Sequence, residues 1–221
     1  MSQQSRIRLY AVLCVAALLG LAAQEVEFGP TINLQRDIVI LNDGVANEEM
    51  LAMLKEFLHR RFSLPVRVEK NPVDLSTASR PKRHQWELRE LLTAVLGRVR
   101  GDGRCILLTK KDTFTLDMNW STGIARCNGT TAVVSICRLD PAFWGETHDR
   151  ARHYKRVRKI IIHELGHTFG QRDHCEDWAC AVHGSGSIGE IDKTGDDYCK
   201  RCDALVNATI AGIRGERRTF R

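Results

Sequence analysis

Past its first two dozen residues the chain has no apolar run long enough to cross a bilayer, which takes about 20 residues. That excludes a spanning helix in the mature protein. Aromatic residues are scarce, at 6% of the sequence, and they do not interleave with basic ones as a nucleic-acid stacking surface would require. No nucleic-acid-binding motif occurs, so the formal net charge of +6 reads as solubility or a preference for acidic surfaces. No stretch repeats, which excludes solenoids and propellers. What is present is 221 residues with 43% hydrophobic and 27% charged side chains, the composition of one globular domain with a sizeable core.

Residues 1–23 read as a secretory signal: Arg6 and Arg8 open it, Leu9 to Ala22 form its apolar run, and Gly20, Ala22 and Ala23 offer a cleavage site. The expectation is export to the periplasm or the medium, with a cytoplasmic protein as the alternative if the leader is kept. Cys14 falls in the discarded segment. The folded domain is then 24–221, expected as a monomer.

From there strands and helices alternate. Ile32 to Leu41 is a β-type run, Glu48 to Phe62 has helical apolar spacing, and Leu64 to Val68 is a second strand. Asn71 to Arg83 reads as a surface loop, Trp86 to Val99 as a helix, Cys105 to Leu108 as a buried strand, and Ala132 to Cys137 as another. The pattern predicts an α/β (α+β) layer with a mixed sheet. A long helix is predicted over Thr147 to Phe169, with Thr147 as its cap. The charged run from Arg150 to Lys159 on it reads as a solvated outer face. Apolar patterning then thins until a final helix, Asp203 to Ile213, and a basic tail.

The long helix ends in His163-Glu164-Leu165-Gly166-His167. Residues four apart share a helix face, so both imidazoles can reach one ion. Zinc takes imidazole nitrogen at about 2.0–2.1 Å and needs three protein ligands and an open position for catalysis. Glu164 flanks such an ion without binding it and is placed to act as general base. Gly170 can turn the chain back so that a third ligand meets the ion. Four cysteines form a second pattern, Cys175-x₄-Cys180 and, after 18 residues, Cys199-x₂-Cys202. Two close pairs across a loop suit a structural tetrahedral thiolate zinc site. Two disulfides are the rival, since an exported chain could form them. Cys105, Cys127 and Cys137 read as small buried core residues. His59, His84, His148 and His153 read as surface residues, and His183 as a non-ligand too, with a place beside the metal ligands or along the cleft as the alternative.

Taken together, His163 to His167, Gly170, His174-Cys175, Cys180-Ala181-Val182 and Cys199 to Cys202 resemble the signature of the archaemetzincins, a branch of the metzincin zinc peptidases. The resemblance covers residues 32 to 213. It implies a two-lobed fold, a twisted mixed sheet with helices (about 32–170) over a small zinc-stapled lobe (about 171–213). It also implies one catalytic and one structural zinc, and a peptide or protein substrate laid along an edge strand within Asn119 to Cys127. Two departures stand out. The family's third histidine falls where this chain has Asp173, with His174 one residue late, so either residue could complete the site; His174 keeps the His-Cys step. Val182 occupies the position of the family's methionine beneath the metal, and no methionine occurs after Met118. A smaller floor should pack less well, at a cost of about 1 kcal/mol. The predicted activity is peptide-bond hydrolysis by Glu-assisted attack of a zinc-activated water. The alternative is a weak or inactive zinc-stabilised peptide-binding relative. A glutamate on a later helix could also be the third ligand, but Ser185, Gly186 and Gly189 argue against a helix around Glu190.

Overall fold

The computed structural model describes residues 31–45 and 47–215. The leader at 1–23 and the tail past 215 lie outside the described residues. Five strands form the main sheet: β1 (Ile38–Asp43), β2 (Val66–Lys70), β3 (Arg104–Thr109), β4 (Gly123–Ala125) and β5 (Thr131–Ser135). Their spatial order is β2-β1-β3-β5-β4. The first four in that order run parallel, and β4 runs antiparallel to β5 at the edge. Side chains alternate across a strand, and β1 uses both faces. Ile38 and Ile40 join the core under helices α1 (Glu48–Phe62) and α3 (Arg150–Thr168), while Val39 and Leu41 join the core under α2 (Leu88–Leu96). A sheet covered on both faces needs the continuous Val/Ile/Leu runs seen in β1, β3 and β5. The mixed α/β sheet predicted from the alternation of elements is therefore what forms.

Several boundaries differ from the sequence reading. The run expected over Ile32 to Leu41 is split: Ile32–Asn33 pairs with Val99–Arg100, and the main-sheet strand starts at Ile38. The second strand starts at Val66 rather than Leu64 and continues through Lys70. The helix expected over Trp86 to Val99 is shorter, because Gln85–Glu87 pairs as a strand and the Glu87 carboxylate caps α2 by accepting from the Glu90 amide. The strand at Ala132 stops at Ser135, and Cys137–Leu139 turns as a 3₁₀ helix. Asp149, not Thr147, caps α3, its side chain accepting from the Arg152 amide at 3.0 Å.

The charge run on α3 is not all solvated. Arg156 and Lys159 are only 2% and 3% exposed. The reason is a helix that the glycines around Glu190 argued against: α4 (Ile188–Lys193), started by the Ser187 cap. Arg156 donates Nε and Nη2 to the Asp192 carboxylate at 2.7 and 2.6 Å. Lys159 Nζ donates to the carbonyls of Ile191, Asp192 and Thr194 at 2.9, 2.9 and 2.6 Å, serving oxygens at the end of α4, where Ile191 also accepts from Thr194 Oγ1 at 3.0 Å. Two cysteine expectations also change: Cys105 is buried, but Cys137 is half-buried and Cys127 is exposed. His153 is buried rather than a surface residue, because α3 turns it inward.

The last helix, α5 (Lys200–Arg214), brings Cys202, Val206, Ile210 and Ile213 into the same core as α1 and α3. Arg61 on α1 reaches Asp197 and Asp203, and Arg214 donates to the carbonyl of Phe62 at 2.8 Å. The segment after Gly170 is thus fastened to the sheet layer at both ends. Among the described residues no helix is long and apolar enough to cross a membrane.

Candidate active site

His163 and His167 sit one turn apart on α3, with ring centroids 4.9 Å apart. Gly170 then adopts φ +108°, a left-handed conformation that suits glycine, and the chain reverses. The reversal places the Gln171 carbonyl 2.6 Å from His167 Nδ1 and carries His174 to within 5.2 and 5.3 Å of the two other rings, centroid to centroid. Ligating nitrogens of His163, His167 and His174 all lie within 4.8 Å of one another. The extra residue after the glycine is absorbed in this turn, so His174 joins the cluster and Asp173 does not.

Hydrogen bonding settles the ring orientations. His163 Nδ1 donates to the Ala181 carbonyl at 2.9 Å and His167 Nδ1 to that of Gln171, which leaves both Nε2 atoms with lone pairs. Those two Nε2 atoms face each other at 3.2 Å. Two lone pairs so placed repel unless a cation lies between them. Ligands about 2.0–2.1 Å from a tetrahedral zinc are about 3.3 Å apart, so the donor set fits zinc. Burial pushes all three imidazoles toward the neutral, ligating form, His163 down to about 3.

Glu164 is buried beside the triad, and desolvation pushes its carboxyl up to about 8 in the absence of a counter-charge. Its neighbour is Gly123 on the edge strand β4. A Cβ built there would lie 2.4 Å from Glu164 Oε1 and 2.8 Å from Cδ, so only glycine leaves room for the carboxylate. Gly123 escaped the sequence reading because nothing local marks it: its partner is 41 positions downstream. The edge strand itself falls inside the expected window, Asn119 to Cys127. Residues 121–125 form one wall of a 370 Å³ cleft, and His163, Glu164, His167, His174, His183 and Ala181 form the other. His183 donates Nδ1 to the Cys175 carbonyl at 2.7 Å, stacks 4.0 Å from Trp178 and lines the cleft, the less favoured of its two sequence readings. Val182 is fully buried and packs, with Tyr198, directly beneath Gly166 of α3. Tyr198 donates its hydroxyl to the Ile162 carbonyl at 2.5 Å, a second floor residue that the sequence did not reveal. Glu190 instead accepts from the Gly186 amide at 2.6 Å and stays out of the cluster.

The four cysteines meet below. Cys175, Cys180, Cys199 and Cys202 bring their sulfurs within 4.8 Å of one another, all as free thiols. Cys175 and Cys199 sulfurs are 3.8 Å apart, nearly twice a disulfide bond. Sulfurs held 2.3 Å from a tetrahedral zinc are about 3.8 Å apart. The Cys199 amide donates to Cys180 Sγ at 3.3 Å, and the Cys202 backbone amide draws the Cys199 thiol down to about 7. Cys199 thus favours thiolate, while burial pushes the Cys180 and Cys202 thiols up, and the four-sulfur donor set fits zinc.

A zinc-type donor triad under a mixed sheet, with a carboxyl alongside and an open cleft, defines a zinc metallopeptidase. The model of Peptidase family M54 matches residues 48–208, and the chain belongs to that family. It is similar to the archaemetzincin of Methanopyrus kandleri, 36% identical over 147 residues that make up 66% of this chain and 79% of that one. It is also similar to the archaemetzincin of Pyrococcus furiosus, 32% identical over 173 residues, covering 75% and 89% of the two chains. The crystal structure of the Methanopyrus kandleri archaemetzincin superposes with a TM-score of 0.68 at 32% identity, covering 80% of this chain and 96% of that one.

Proposed function

We propose that this peptidase cleaves extended peptides with Glu164 as its general base and with His163, His167 and His174 holding the catalytic zinc, while Cys175, Cys180, Cys199 and Cys202 hold a second, structural zinc. When bound, the catalytic ion supplies a Lewis acid that acidifies water and polarises the scissile carbonyl. Glu164 takes the proton from the attacking water on its carboxylate and delivers it to the leaving amine nitrogen. Gly123 keeps that carboxylate room to face the cleft. The free edge of β4 offers backbone donors and acceptors to which a substrate strand can add. The leader in residues 1–23 supports an exported enzyme.

The observation that carries this reading is the convergence of three lone-pair-bearing imidazoles and one buried carboxyl on a single cleft beside a free strand edge. The test is Glu164→Gln, assayed on a mixed peptide library with zinc measured in the same sample. The variant should keep its zinc and lose hydrolysis by about 10²–10⁴-fold. Wild-type turnover by the zinc-loaded variant would remove Glu164 from the mechanism.

A further inference from the structure

We propose that Asp140, His148 and His153 form a separate binding site for a divalent transition-metal ion such as zinc, at the opposite end of α3 from the catalytic triad. His153 and His163 are ten residues apart on one helix, about 15 Å at 1.5 Å per residue. The two clusters are therefore distinct.

The donor atoms of the three residues lie within 4.8 Å of one another, the same span as in the catalytic triad. His148 Nδ1 is almost equidistant from the two Asp140 oxygens, at 3.0 and 3.1 Å. A single N–H shared between both is a bifurcated bond aligned with neither oxygen, whereas a shared ion has no such directional demand. His153 Nδ1 stands 3.7 Å from Asp140 Oδ2, beyond hydrogen-bond reach. These separations bracket the roughly 3.3 Å expected between neighbouring ligands on one zinc ion. His153 is only 6% exposed, and its Nε2 has no hydrogen-bond partner. The ring also has a backbone interaction with Ile136, and a buried polar atom without a partner costs free energy. Ligation through Nδ1 would give the ring a strong partner on the side that faces Asp140, with Nε2 carrying the proton.

The surrounding charges leave the carboxylate available. Arg156 is engaged by Asp192, and Arg152 by Glu146 and Asp149. Among the described residues, Asp140 forms ion pairs only with the two histidines. Its Oδ1 also accepts from the Ala142 amide at 2.9 Å, which fixes the carboxylate at the start of the Pro141–Trp144 turn. Two imidazoles and one carboxylate suit zinc, nickel, copper or iron rather than calcium or magnesium. The ion would tie the 140–149 connection to the first turn of α3.

Zinc alone is the probe. The full-length protein, His148→Ala and Asp140→Asn are saturated with zinc, freed of excess and analysed for zinc per chain. His148 is half-exposed, so its removal should leave the fold intact, which circular dichroism checks. Each variant should hold one zinc fewer than the wild type while hydrolysing peptides at the wild-type rate. Equal zinc in all three proteins would overturn the site. So would a variant that loses its zinc together with hydrolysis, since that ion came from the triad.

Discussion

The histidine triad and the cysteine tetrad solve opposite problems within about 40 residues of chain. The tetrad closes on itself: four sulfurs from residues 175–202, of which Cys175, Cys180 and Cys202 are buried, with the Cys199 amide donating to Cys180 Sγ. On the proposed reading four protein donors would complete a tetrahedral ion and leave it no open position, which suits a structural role. The triad has three donors, lies on the cleft, and depends on parts far away in sequence. His163 is oriented by Ala181, and Glu164 is given room by Gly123 on the edge strand. A structural centre can be assembled locally. A catalytic one needs an open position, and residues from elsewhere must build the walls around it.

The largest effect should come from breaking the closed cluster. Cys180→Ser removes a fully buried sulfur donor. Structural zinc ligation carries much of the folding free energy of a segment with few apolar anchors. The variant should lose one zinc, destabilise the protein by several kcal/mol in denaturant titration, and expose residues 171–199 to proteolysis. An unchanged denaturation midpoint would mean that α5 and the Arg61 ion pairs hold this segment without metal.

The open site should fail in a different way. Gly123→Ala puts a methyl group 2.4 Å from the flexible end of Glu164, which can swing aside. Folding and zinc content should change little. Misplacing the base by about 1 Å should lower kcat by about 10²-fold. A variant with normal kcat would show that the carboxylate works equally well from the displaced position.

The contrast also explains what was legible in the sequence. The zinc helix, the glycine turn and the two cysteine pairs are short-range patterns, and each folds into the arrangement its spacing implies. The sheet was legible because runs such as Ile38-Val39-Ile40-Leu41 are buried on both faces. The choice between Asp173 and His174 was not, since it depends on how one extra residue is accommodated in a turn. Gly123 and Tyr198 were invisible for a different reason: each matters through a contact with α3 that only the tertiary fold creates. Arg156 and Lys159 were misread as solvent-facing because their partners sit on α4, a six-residue helix among glycines that local propensity argues against.

That helix joins the two clusters, since it belongs to the cysteine-stapled segment yet rests on the zinc helix. Lys159→Met should leave the carbonyls of Asp192 and Thr194 short of a donor, Ile191 keeping Thr194 Oγ1, and cost about 2 kcal/mol. Both zinc ions should remain. Loss of the catalytic ion in this variant would mean that the seam positions α3 as well as holding α4.

The smallest effect concerns the neighbouring ion pair. Arg156 hydrogen bonds hold the Asp192 carboxyl below its usual range. A carboxyl depressed in the folded state contributes stability above its unfolded pKa of about 3.9, and that contribution is lost as pH falls through the lower folded value. Asp192 is 37% exposed on its side chain, so solvent screens much of the attraction. Denaturation midpoints measured downward from pH 6 should therefore fall slightly less steeply below about pH 4 in Asp192→Asn than in the wild type. The difference should vanish in Arg156→Met, where the pair no longer exists. If Asp192→Asn instead tracks the wild type at every pH, α4 is held to the zinc helix by Lys159 and packing alone, and the seam owes nothing to this charge.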